Sequence, residues 1–475
     1  MSILVLVLAF VLAYAWLIYP PLIQWVGRRT RNAIRIAEGE PHRIWPRVAI
    51  LFSAHNEEGV VEARLRNLSE LDYPADRFHV FVGVDGGSDR TADIALAWAS
   101  QHENVHVVVS SENKGKMAML KDLVKRVQGS GVRSQESGVG LPNVGGAVPC
   151  RETQEVQGEK IRGAERPSHI HDQPSTLNPQ SGLRHPPPST IDPEPRTLNP
   201  ETFLPALLVF TDANTMFEAD AVRRLAEPFT DPRVGGVCGR LVFQPASAEP
   251  TDEPHYWDLE TKLKEAESRL DSCLGANGAI YAVRHELFPA GIPDNVIVDD
   301  FVIGMKVREQ GRRMVYVTGA RAREDLPATV GEEWSRRVRI GAGAYQALWL
   351  CRRCLSPRFG TFAWMFGSHK VLRWFTPHLL ATLACLLLAE GFRVEGYGSP
   401  FTVHCSLFTF ILAAVGAFSL ICVCARKVDA RWAKPFRLTF YFAVMQAALF
   451  AGFLRFCAGD LSGAWKRTSR HVSRP

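Results

Sequence analysis

Asp212 and Asn214 stand two residues apart, directly after the apolar run Leu207-Leu208-Val209-Phe210. A buried strand that ends in two oxygen-bearing side chains offers hard ligands of the kind that Mg2+ or Mn2+ takes when it carries a phosphate. Asp and Asn are equally at home in turns and helix caps, and on this stretch alone the turn is the stronger reading. Three more polar clusters change the weighing: Ser53-Ala54-His55-Asn56-Glu57-Glu58, Asp85-Gly86-Gly87-Ser88-Asp89 and Val298-Asp299-Asp300. Each alone is a turn or a cap; Ser88 and Asp89 are good N-cap residues. Together they set several acids on one edge of one sheet. Gathered acids repel one another unless a cation or hydrogen-bond donors compensate, and that is the physical argument for a site.

The elements that position these clusters follow from hydrophobic patterning. Residues 47–54, 79–84 and 105–109 read as strands, and 57–71, 88–99 and 116–127 as helices, before a fourth strand begins at Leu207. This alternation implies a parallel, layered α/β sheet. In such sheets ligands bind at the carboxyl ends of the strands, where three of the clusters fall; the fourth, Val298-Asp299-Asp300, precedes an apolar helical pattern. Between 129 and 202 the chain has eleven prolines, nine glycines and no Phe, Trp or Tyr. The hexamers PSTLNP at 174, PSTIDP at 188 and PRTLNP at 195 are degenerate copies of one another. The composition predicts a disordered low-complexity insertion over 129–204, either a regulatory loop or a translated tandem repeat with no folded role.

The chain has 475 residues and a net charge of +6. Residues 3–26 carry no charge and are long enough to cross a bilayer. The small-x-small triplet Ala13-Tyr14-Ala15 lies inside the apolar run and no basic region precedes it, which favours a retained anchor over a signal peptide. Apolar segments recur at 374–391, 401–425 and 438–454. Arginines 28, 29, 31, 35, 43 and 47 follow the first span, so the positive-inside rule places the central region in the cytosol, in an integral membrane protein. The basic tail at 465–470 conflicts with three full C-terminal spans. The divisions expected are a transmembrane helix at 1–26, an α/β domain at 45–330, amphipathic interface helices at 331–370 and transmembrane helices at 371–460. The ten cysteines form no disulfide framework, and Cys351 and Cys354 lack partners for a zinc site. No basic patch interleaved with aromatics points to nucleic acid.

The order of motifs resembles inverting family 2 glycosyltransferases with a GT-A fold, in particular membrane-embedded synthases of the hyaluronan, chitin, cellulose and poly-N-acetylglucosamine type. The stretches that carry the resemblance are AHNEE at 54–58, VDGGSDRT at 84–91, NKGKMAML at 113–120, VFTDANT at 209–215 and SCLGANGAIYAVRHELF at 272–288. It continues in VDDFVIGMKVREQG at 298–311, EEWSRRVRIGAG at 332–343 and SHKVLRWFTP at 368–377.

The resemblance implies a Rossmann-like nucleotide-sugar domain, a UDP-sugar donor and a polysaccharide acceptor, with membrane lipids around the apolar helices. By resemblance Asn56 and Glu57 border the nucleotide, Asp85 holds the uracil or ribose, and Lys116 approaches the phosphates. Asp212 and Asn214 become ligands of Mg2+ or Mn2+, with Asn214 standing where many relatives have a second aspartate. Gly275, Asn277 and Gly278 lie in the loop that receives the acceptor. Asp300 becomes the general base that takes the acceptor proton, and Asp299 raises its pKa through like-charge repulsion. Arg336 and Arg339 fall in the motif that relatives write Gln-x-x-Arg-Trp. Arg339 keeps the cationic fork for phosphate. Arg336 in the first position resembles ceramide glucosyltransferases, and Ile340 replaces the tryptophan on which a sugar would stack. The alternatives are therefore a lipid acceptor, such as ceramide or a polyprenyl phosphate, or an inactive relative that serves as a scaffold.

Overall fold

This computed structural model describes residues 3–30, 45–128, 205–244, 253–325, 330–393, 421, 424 and 431–461. The expected insertion at 129–204 and nearly all of the apolar segment at 401–425 lie outside them.

One eight-stranded sheet organises the central region. Its strands are β1 (Val48–Ala54), β2 (Phe78–Asp85), β3 (Val105–Ser110), β4 (Leu207–Thr211), β5 (Met216–Phe217), β6 (Val234–Gln244), β7 (Ile280–Arg284) and β8 (Arg313–Asp325). Their order is β3-β2-β1-β4-β7-β6-β8-β5. The first four pair in parallel, with Ala54 opposite Val84 and Leu51 opposite Phe210. The sheet is mixed rather than parallel throughout: β7 runs antiparallel to both β4 and β6, and β5 antiparallel to β8. Short buried runs read the same in either orientation, so the reversal leaves no mark on the hydrophobic pattern.

The helices that place the site are α1 (Ile3–Arg29), α2 (Val61–Ser69), α3 (Thr91–Gln101), α4 (Lys116–Val127), α5 (Ala221–Ala226), α6 (Glu253–Leu270) and α7 (Asp299–Glu309). Helix α4 buries Met117, Leu120, Leu123, Val124 and Val127, one stripe at helical spacing. Helices α2 and α3 start later than their sequence reads. Asn56 takes a left-handed backbone, φ +55°, and the Glu57 carbonyl caps a turn by accepting from the Val60 and Val61 amides. Asp89 accepts from the Thr91 amide at 3.0 Å and so fixes the first turn of α3. The β1–β4 core, including Ile50, Phe52, Val82 and Val209, is buried. Each such side chain contributes about 1.5–3 kcal/mol through burial.

Beyond the sheet come α8 (Val330–Leu350), α9 (Thr361–Trp374), α10 (Thr376–Arg393) and α11 (Lys434–Cys457). Among the described residues, Ile3–Arg29 and Pro435–Cys457 are long and apolar enough to cross a bilayer. Thr361–Trp374 and Thr376–Ala389 form a pair bent by 60°, so the expected segment at 374–391 is one arm of a bend. Helix α1 carries a π-turn at Tyr14–Ile18 just before Pro20 and Pro21, prolines that withhold two backbone donors. Helices α8 and α11 meet through glycines: a Cβ on Gly452 would lie 2.6 Å from the Ala342 amide.

Candidate active site

Asp85 is the last residue of β2 and is almost wholly buried. Its Oδ1 accepts from the Lys114 amide at 2.7 Å and its Oδ2 from the Gly115 amide at 2.8 Å. Gly115, at φ +90°, turns the chain into α4, and Lys116 is the first residue of that helix. His55 Nδ1 donates to the Asp85 carbonyl at 2.7 Å. Asn56 Oδ1 accepts from the Ser88 amide at 2.9 Å, and the Glu57 amide donates to Thr91 Oγ1 at 2.8 Å. The loops after β1 and β2 are thus laced together, and they gather Asn56, Glu57 and Asp85 at one edge of the sheet.

Lys116 supplies the compensating cation that the acids require. Its Nζ donates to Asp212 Oδ1 at 2.7 Å and lies 3.6 Å from Asp299 Oδ2. Gly278 is the floor of this group. A Cβ there would stand 3.4 Å from Asp300 Oδ2, 3.6 Å from Asp212 Oδ2 and 3.6 Å from Lys116 Nζ. Burial opposes the charge of Lys116, yet Asp212, Asp299 and Asp300 outweigh it and hold the ammonium well above its ordinary pKa. Burial drives Asp299 the other way, above the usual carboxylate range, with Asp300 and Asp212 adding to the rise and Lys116 opposing it. Asp299 Oδ2 is buried without a hydrogen-bond partner. An additional hard cation or donor at this point would relieve that deficit.

Two arginines complete the field. Arg64 on α2 is fully buried beneath the end of β4 and donates to Thr211 Oγ1 at 2.9 Å. Burial lowers its pKa to about 9, against the attraction of Asp212. Arg339 on α8 is likewise lowered by burial, and Asp299 and Asp212 pull it back up, so its charge acts on the same carboxylates. Arg336 acts on Arg339 as a like charge.

The loop expected to receive an acceptor divides in two. Gly278 faces the carboxylates. Asn277 does not: its Oδ1 accepts from Lys264 Nζ and its Nδ2 donates to the Gly239 carbonyl at 3.1 Å. Both contacts fix the loop, because buried Lys264 needs an acceptor and finds it there. Gly275, at φ +75°, packs against α7, where a Cβ would meet the Phe301 ring at 2.4 Å. It too positions the loop. Asn214 donates from Nδ2 to Glu324 Oε1 at 2.8 Å, which leaves its carbonyl oxygen as the atom that could ligate. Among the described residues, no three His, Cys, Asp or Glu side chains are grouped to cage a metal alone. The donor set around Asp212 suits an ion that takes its remaining oxygens from a bound phosphate.

Sequence reading missed Arg64 and Glu324, whose partners Thr211 and Asn214 lie far along the chain, and Lys264, whose partner Asn277 stands on the loop beyond its own helix. It also missed a buried network on α6. Glu260 accepts from Lys370 Nζ at 2.9 Å and Arg373 Nη1 at 2.9 Å, Glu267 accepts from the Tyr19 hydroxyl at 2.9 Å, and the His369 ring lies between the two carboxyls, 3.1 Å from Glu260 through Nε2 and 2.6 Å from Glu267 through Nδ1. The i, i+4, i+7 spacing of Glu260, Lys264 and Glu267 is the signal that marks one polar face of α6.

Residues 207–452 match the family model for glycosyl transferase family group 2, and residues 49–132 match that for glycosyl transferase family 2. The chain belongs to glycosyl transferase family group 2. The transferase is 36% identical over 78 residues to a probable glycosyltransferase, YdaM, of Bacillus subtilis, a match covering 16% of this chain and 19% of that one. It is 25% identical over 158 residues to the beta-monoglucosyldiacylglycerol synthase of Synechocystis sp., covering 28% of this chain and 33% of that one. The chain thus spans about a fifth to a third of the length of these curated relatives. Among solved structures it is similar to the mannosyltransferase PcManGT of Pyrobaculum calidifontis, solved with GDP-mannose and Mn2+. The TM-score is 0.57 at 19% identity, over 96% of this chain and 99% of the other. The expected GT-A fold is therefore present, in a chain of glycosyl transferase family group 2.

Proposed function

We propose that this transferase moves a sugar from a UDP-sugar, with inversion, to the hydroxyl of a lipid at a membrane surface. The observation that carries the reading is the convergence of Lys116, Asp212, Asp299 and Asp300 around Gly278. Asp212, with the Asn214 carbonyl, would hold Mg2+ or Mn2+, and a bound ion would offset charge on the departing diphosphate. Lys116 and Arg339 add fixed positive charge for the same diphosphate. Asn56, Glu57 and Asp85 border the nucleoside. Asp300 Oδ2 takes the proton from the acceptor hydroxyl as that oxygen bonds to the anomeric carbon. The bond from that carbon to the diphosphate breaks with its electron pair leaving on UDP.

A lipid acceptor is favoured over the polysaccharide expected from the synthase resemblance. Ile340 offers no ring for a sugar to stack on, and it lines an apolar cavity bounded by α8 and α11. The Synechocystis relative is named for glycolipid synthesis and supports the same choice. The apolar helices α1 and α11 would hold the enzyme in the membrane, its catalytic side in the cytosol. Purified enzyme, Mn2+ and a panel of labelled UDP-sugars and GDP-mannose, with mixed lipids as acceptors, should give an organic-soluble labelled product from a UDP-sugar, and Asp300→Asn should give none. A high-mass, water-soluble product would instead establish the polysaccharide reading. GDP-mannose as the sole donor would refute the UDP assignment. Equal background in both proteins would favour the scaffold.

A further inference from the structure

Asp299 and Asp300 open α7, and no side chain caps that helix: the N-cap position is held by Val298. Residues 289–298, which lead into it, form neither helix nor strand, so no ladder of backbone bonds fixes them. What holds them lies on α8. Gln346, buried on that helix, accepts at Oε1 from the Ile297 amide at 3.0 Å and donates from Nε2 to the Asn295 carbonyl at 3.1 Å. One side-chain amide thus satisfies a donor and an acceptor of the chain immediately before the two carboxylates. Gly343 stands one turn earlier on α8. A Cβ there would stand 2.9 Å from Ile297 Cγ2 and 3.0 Å from Val298 Cγ1, so the helix lies directly against the segment. Lys121 also pairs with Asp294, at 2.6 Å, but Asp294 is exposed and such pairs hold little.

Arg339, Gly343 and Gln346 follow one another at i, i+4 and i+7, which is one face of α8. Arg339 acts electrostatically on Asp299 and Asp212. A second face of α8, at Val338, Gly341 and Ala342, packs against Gly452 of α11. We propose that Gln346 is a positioning residue for the transfer: its amide pins the backbone of 295–297 to α8 and so holds Asp300 where it meets the acceptor hydroxyl above Gly278. The inference rests on the reading of Asp300 as the general base and deepens it. Without that amide the Asn295 carbonyl and the Ile297 amide lose these partners, and a segment that shifts to recover others carries Asp300 with it. A misplacement of about 1 Å can cost a reaction about 10²-fold.

The test follows UDP release by the full chain with Mn2+, the UDP-sugar panel and mixed lipid acceptors, with UDP affinity and Tm recorded for every variant. Gln346→Leu should lower kcat about 10- to 100-fold while KM for the donor and the UDP dissociation constant stay within about twofold. On Asp300→Asn, whose slow residual rate is followed over long incubations, Gln346→Leu should cost less than about twofold more, because the group it positions is gone. Gln346→Glu supplies a second reading. Protonated, its carboxyl offers the same donor and acceptor as the amide; ionised, it sets an anionic oxygen against the Asn295 carbonyl. Its rate relative to wild type should therefore fall several-fold between about pH 6 and about pH 8.5, while that of Gln346→Leu stays level. Additive losses in the double variant, a parallel rise in donor KM and UDP dissociation constant, or a full rate in folded Gln346→Leu would each overturn the proposal. An undiminished rate in Asp300→Asn alone would instead overturn the base assignment on which it rests.

Discussion

Gly278 has no side chain, and the reason is local: a methyl group there would fill the space that Asp300, Asp212 and Lys116 face. Gly278→Ala is expected to fold normally and lose at least tenfold in kcat, measured as transfer from the UDP-sugar. Asp300→Asn keeps the size of the side chain but cannot accept the proton. Transfer should fall about 10²–10⁴-fold, with UDP affinity within about twofold in calorimetry. Asp299 makes a prediction in pH. Its pKa is raised in the folded state by burial, joined by Asp300 and Asp212 and opposed by Lys116. A carboxyl raised by folding contributes stability that is present at low pH and is lost as pH climbs through the raised value. Near neutrality the buried anion is therefore a burden. Asp299→Asn should raise the Tm of the metal-free protein there, by about 2–4 °C for each kcal/mol relieved, and flatten its pH dependence. An unchanged pH profile of Tm would contradict this.

At the scale of elements, α6 works as a strut. One face holds the apolar helices α1 and α9 through Glu260 and Glu267, and Lys264 between them fastens Asn277, next to Gly278. Lys264→Met should loosen the floor of the site: kcat falls about tenfold while KM for the donor stays within about twofold. Steady-state kinetics at saturating acceptor reads this directly. How much of this is legible in the sequence differs from element to element. The bounds of α4 are, because Gly115 precedes Lys116 and the buried stripe from Met117 to Val127 repeats at helical spacing. The starts of α2 and α3 are not, since the left-handed Asn56 and the Asp89–Thr91 turn are loop geometry. The acids of the site stand out because strands β2 and β4 end beside them. The clamp role of Asn277 is hidden, because it depends on a lysine on another element and on a carbonyl of β6. Orientation of β7 is hidden for the same kind of reason.

At the scale of the molecule, the sheet and apolar helices, as far as the described residues go, form one compact unit. Replacing 130–199 with a short Gly/Ser linker should leave UDP binding unchanged and shift Tm by no more than a few degrees; loss of UDP binding would mean that the segment takes part in the site. The position at which a diphosphate and its ion settle decides whether the converging carboxylates form the site. Crystals of the full chain grown with UDP and Mn2+, read by the anomalous scattering of manganese, test this most directly. A manganese peak is expected beside Asp212, with the diphosphate between it and Lys116. Nucleotide bound with the manganese peak remote from Asp212, or on another face of the sheet, would contradict it.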